Sequence, residues 1–150
     1  TPPNAIVFGS GQVPQRVMIV AGLRVTVVIY PALIAAAAGD RLAVEARIAG
    51  LESRLRDGAL AAGPVVPLLC RALLAFAESD YLGCARLLEP LRGDVARIGG
   101  SGAQREVIED TLLVALLRGG EQARAAALLD ERLHRRPSTR DRLWQASLAF

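Results

Sequence analysis

A chain of 150 residues is long enough to bury a sizeable core without disulfide or metal staples. Hydrophobic residues make up 52% of it and aromatics only 4%, an Ala- and Leu-rich balance that suits close-packed helices and weighs against an all-β fold. All 18 Lys/Arg positions are Arg, yet the 16 arginines of residues 40–150 nearly cancel 15 acids, and the lack of a basic stripe with stacking aromatics weighs against nucleic acid as a partner.

Taken in chain order, Thr1–Gln15 is rich in Pro, Gly, Asn and Gln and reads as irregular. It lacks the charged n-region and immediate apolar run of a signal peptide. Residues 17–30 are dense in β-branched side chains, and Pro31 interrupts whatever they form. A helix is favoured for part of this divergent apolar N-terminal segment, residues 1–31. Its residues 17–31 are expected to pack on the first helical pair or on a second copy of the chain, making a homo-oligomer. The alternative is a bilayer span over residues 17–38, with ten Val, Ile or Leu residues set against Arg24 and Pro31.

From residue 32 onward the chain repeats. Ala32–Asp40, Ala72–Asp80 and Leu113–Glu121 are each an apolar run closed by a small residue and an acid: Gly39-Asp40, Ser79-Asp80 and Gly120-Glu121. The acids stand 40 and then 41 residues apart, and eight positions beyond each comes an apolar residue, Ile48, Leu88 and Leu129. Such a period is the signature of stacked helical hairpins. The small residue permits a tight turn, and the acid caps the next helix or favours its positive end. Alanines at 72, 85, 115 and 126 let neighbouring helices approach closely.

Three antiparallel pairs are therefore predicted, over Ala32–Leu55, Val66–Leu91 and Gln104–Leu133. Leu74, Leu88, Val107, Ile108, Leu112 and Leu116 are placed in the core. Gly58–Pro67 and Gly99-Gly100 separate the pairs, and Ser101 with Gln104 forms a capping box. Pro137 stops the third pair after Arg135-Arg136, and Ser138 with Asp141 starts a terminal helix bearing Leu143, Trp144 and Leu148. That helix is expected to cover the open end of the stack.

The segments Ile98–Val107, Thr111–Leu117 and Ala125–Pro137 resemble the tetratricopeptide repeat protein 38-like family, with Gly102 standing where the family's Gly-Gly-Ser-His-Ala-Gln-Arg core has His. The likeness extends more weakly back to about Ala32. The likeness, which covers about residues 32–137, implies an α-α superhelix; with the repeat and the terminal helix read above, the expected fold is all-α, a tetratricopeptide-like α-α superhelix of about three helical hairpins plus a C-terminal capping helix, occupying residues 32–150. The likeness also implies a role in protein–protein contacts.

Little in the sequence points to catalysis. His134 is the only histidine and lies among cations at a helix end, without the partners that a metal or proton-transfer site needs. Cys70 and Cys84 sit in apolar helical surroundings and read as buried, reduced thiols, which suggests a cytoplasmic setting. Gly99–Gly102 leads into a helix N-terminus but lacks the Lys-Ser/Thr of a phosphate loop. No cofactor, metal or enzymatic role is expected. The candidate contact residues are Arg105, one turn into that helix, and Arg132, Arg135, Arg136 and Arg140, which with Arg142 form the densest basic region, a solvated helix end or a patch for an acidic peptide or lipid headgroups. The expectation is a non-enzymatic scaffold for a protein or peptide partner; the rival is a membrane-tethered helical-repeat domain anchored through residues 17–38.

Overall fold

The computed structural model describes residues 38–98 and 102–148. The expectations for residues 1–31, the span over 17–38, the helix from Ala32 and the Ser101 cap fall wholly or almost wholly outside them. Among the described residues the fold is all-helical: α1 (Arg41–Arg56), α2 (Val65–Ala77), α3 (Tyr81–Leu88), a 3-10 turn (Val95–Ile98), α4 (Gly102–Arg118), α5 (Gln122–Arg135) and α6 (Thr139–Leu148). Each α-helix packs on its neighbour in the chain, and the 3-10 turn packs on α2.

The repeated small residue–acid pair has the geometry its chemistry dictates. Gly39, Ser79 and Gly120 all take positive φ (71°, 64° and 78°), and Asp40, Asp80 and Glu121 follow as the N-caps of α1, α3 and α5. Asp80 and Glu121 donate their N–H back to Ala75 O and Leu116 O, which satisfies carbonyls that the ending helix leaves open. Asp40 and Asp80 then accept from the N–H of Ala43 and Gly83 at 3.0 and 2.8 Å, as helix-capping carboxylates do. Glu121 makes no side-chain cap bond; one methylene longer, it pairs with Arg124 instead, at 3.4 Å.

Ile48, Leu88 and Leu129, the residues eight beyond each acid, are all buried. They join one core with Val44, Leu51, Val65, Leu69, Leu73, Leu112, Leu113 and Leu116. Ala72, Ala85 and Ala115 are wholly buried, as close helix approach requires, whereas Ala126 is half-buried and its neighbour Ala125 takes the inner position.

Several expectations are corrected. Pro67 lies inside α2 rather than before it; within the first turn its missing N–H has no intrahelical acceptor to lose. Helix α3 stops at Leu88, not Leu91, because Pro90 cannot donate and its ring crowds the preceding turn. The chain continues as a series of turns that still buries Leu91 and leads into a 3-10 turn that burial of Val95 and Ile98 holds down. Leu74 is only half-buried. Val107 is exposed, because Ile108, Leu112, Ala115 and Leu116 hold the inner stripe of α4. Leu143 is exposed too, since the inner face of α6 is taken by Asp141, Trp144 and Leu148 at i, i+3 and i+7.

Candidate functional site

Helices α4 and α5 run antiparallel, so the start of one lies beside the end of the other. Asp110 reaches Arg132 at 2.8 Å across this pair, and Glu109 reaches Arg135 at 2.8 Å. Here, where the turn after α3 and the 3-10 turn also arrive, the surface opens into a cleft of about 330 Å³. Leu88, Val95, Ile108 and Leu112 give it an apolar lining. Five arginines, Arg92, Arg105, Arg132, Arg135 and Arg136, share that lining with Glu106, Glu109 and Asp141.

Arg132 organises the site. It is 5% exposed, which corrects its expected place in a solvated helix end. It points inward because α5 has its buried stripe at Ala125, Leu128, Leu129 and Arg132, one continuous face of the helix. Nε and Nη2 donate to the two oxygens of Asp141 at 3.0 and 3.2 Å, and Nη2 also donates to Asp110 at 2.8 Å. Asp141, at 2% exposure, is fixed in turn: its N–H donates to Ser138 Oγ at 3.2 Å in the predicted cap of α6. Desolvation alone would lower the Arg132 pKa, but hydrogen bonds and charge from Asp110 and Asp141 outweigh it and raise the guanidinium further. Arg132 therefore remains a cation.

The other arginines are tied less tightly. Arg135 Nη2 donates to both oxygens of Glu109 at 2.9 and 2.8 Å, and that hydrogen bonding raises its pKa against the lowering effect of burial. Arg136 pairs with Glu106. Arg92 Nη2 donates to Glu131 at 2.6 Å, a bond that holds the Glu131 carboxyl below its ordinary range. Among the described residues, two buried side-chain nitrogens have no hydrogen-bond partner, Arg92 Nε and Arg132 Nη1.

Of the five arginines singled out from the sequence, Arg105, Arg132, Arg135 and Arg136 line this one cleft. Arg140 does not; it stays half exposed, donates to Asp110 at 3.0 Å and lies over the Trp144 ring at 5.6 Å. Sequence reasoning missed Arg92, Glu106, Glu109, Asp110 and Asp141. The available signal was helical spacing, since Arg105, Glu109 and Leu112 share one face of α4 and Arg132, Arg135 and Arg136 one face of α5. Nothing local marked Arg92, which arrives through the turn that Pro90 forces.

Cys70 and Cys84 are free and buried as expected, and burial pushes both thiols up to about 11. His134 is exposed on α5, with Nδ1 2.9 Å from the Asp130 carbonyl. Among the described residues no helix is long and apolar enough to cross a membrane. No group of three or more His, Cys, Asp and Glu there could hold a metal ion. The polar groups at the cleft are guanidinium and carboxylate side chains, equipped to bind charged groups by charge-assisted hydrogen bonds beside apolar surface. No family model matches the chain, and no solved structure matches it either.

Proposed function

We propose that the chain is a non-enzymatic helical-repeat scaffold, a tetratricopeptide-like α-α superhelix that holds a protein or peptide partner, and that the partner docks at the cleft between α4, α5 and the 3-10 turn. The observation that carries this reading is the cleft's composition: an apolar lining of Leu88, Val95, Ile108 and Leu112 beside five arginines, at the junction of two hairpins. Arginine-bearing, partly apolar concavities suit protein recognition. The repeated turn with its acid N-cap supports the repeat architecture, because equivalent joints recur at the spacing of the sequence period. The resemblance to the tetratricopeptide repeat protein 38-like family points the same way, and a cytoplasmic location fits two buried, reduced thiols.

A photo-crosslinking amino acid at Arg136, beside the cleft, is the direct test. A copy at Glu45, exposed on α1, is the comparison. The expected result is one discrete protein adduct from position 136 that is absent from position 45. Equal adducts from both positions, or none from 136, would overturn the assignment of the docking face.

A further inference from the structure

Two guanidinium nitrogens at the cleft, Nε of Arg92 and Nη1 of Arg132, are buried and lack acceptors among the described residues. A buried charged donor without an acceptor is unfavourable, so a ligand that supplies one gains more there than at an exposed arginine. Arg132 is also a preformed donor. Its other nitrogens are fastened to Asp110 and Asp141, so little rotamer freedom is left to lose on binding. We infer that the cleft takes the carboxylate of an acidic peptide segment, which accepts from Arg92 Nε and Arg132 Nη1 while an apolar neighbour in the peptide lies against Ile108 and Leu112. The inference rests on the scaffold reading and names the chemistry of its ligand.

Charge chooses carboxylate over phosphate. The lining already holds three carboxylates, Glu106, Glu109 and Asp141, and a monoanion meets less repulsion beside them than a phosphate dianion does. A cleft of about 330 Å³ sits at the small end of ligand pockets, roomy enough for one or two extended residues and too small for a helix.

The test uses the full chain and fluorescence anisotropy with an N-terminally labelled hexapeptide of alternating Leu and Glu. Three companions accompany it: the same peptide amidated at its C-terminus, its Leu/Gln counterpart with a free C-terminus, and the Leu/Gln amide, which carries no carboxylate. The acidic peptide is expected to bind at least tenfold more tightly than the Leu/Gln amide. The two intermediate peptides tell a side-chain carboxylate from a terminal one. Arg92→Gln should weaken the acidic peptide at least fivefold, while Arg142→Gln, exposed on α6, should leave it unchanged. Equal binding of acidic peptide and Leu/Gln amide would overturn the carboxylate subsite yet leave peptide docking at the cleft standing. An unaffected Arg92→Gln variant, equal losses from Arg92→Gln and Arg142→Gln, or absence of binding by every peptide would each overturn it as well. Inorganic phosphate displacing the peptide better than acetate at equal concentration would overturn the choice of carboxylate.

Discussion

Cys70 and Cys84 carry a pH dependence that can be read from their surroundings. Desolvation raises both thiols from 9.0 to about 11, with Arg47 opposing it at Cys70 and the Asp80 charge adding to it at Cys84. Between those values the unfolded chain releases thiol protons that the folded chain keeps. Stability from each buried thiol is therefore fully present below pH 9 and lost as pH rises towards 11. The loss is on the order of 2–3 kcal/mol per thiol. Urea midpoints at pH 8 and 10.5 should fall for the native chain and fall less for Cys70→Ala; identical slopes would contradict the burial argument. The Arg132–Asp141 pair yields a second residue-scale expectation. Arg132→Leu strands a buried carboxylate and should cost about 3–5 kcal/mol, whereas Arg132→Leu with Asp141→Leu should cost much less than the sum of the single changes. A double-mutant cycle by denaturant unfolding measures this, and simple additivity would mean that the pair is not coupled.

At the scale of the helices, the joints differ in a way that mutations can resolve. Asp80 makes its cap bond and Glu121 does not. Asp80→Ala should therefore cost about 1 kcal/mol, while Glu121→Ala should stay within about 0.5 kcal/mol of the native chain. Among the described residues Ser79 is the non-glycine residue held at positive φ, so Ser79→Gly should stabilise by roughly 1 kcal/mol. Thermal unfolding of the three variants checks the order. These joints were legible in the sequence because their physics is local: a residue tolerant of positive φ, an acid, and an apolar position eight further on. The break in the second pair was less legible. Pro67 and Pro90 are the same residue type with opposite consequences, since only Pro67 falls in a first turn where the N–H is spare. Arg132 was misread because a charged residue on an inner stripe is tolerated only when distant partners, here Asp110 and Asp141, come to it.

For the molecule as a whole, α6 acts as more than a lid. Asp141 supplies the buried counter-charge of Arg132, Arg140 reaches Asp110 on α4, Gln145 bonds Asp130 on α5, and Trp144 and Leu148 pack on the core. Removing residues 139–150 would thus strip the cleft of one of its carboxylates as well as exposing apolar surface. The helix-to-helix joints set a further limit. Asp80 is both the residue whose N–H closes α2 and the N-cap that opens α3, so this corner has no spare residue. A single insertion there would turn α3 by about 100° about its axis. Leu88, now 1% exposed, would swing off the core and the wholly buried Ala85 would move to the exposed place of Arg86. Length changes in descendants of this chain should accordingly gather in residues 57–64 rather than in 89–98, where Leu91, Val95 and Ile98 are buried. Residues 57–64 join α1 to α2, and there an added residue lengthens a link without rotating a helix.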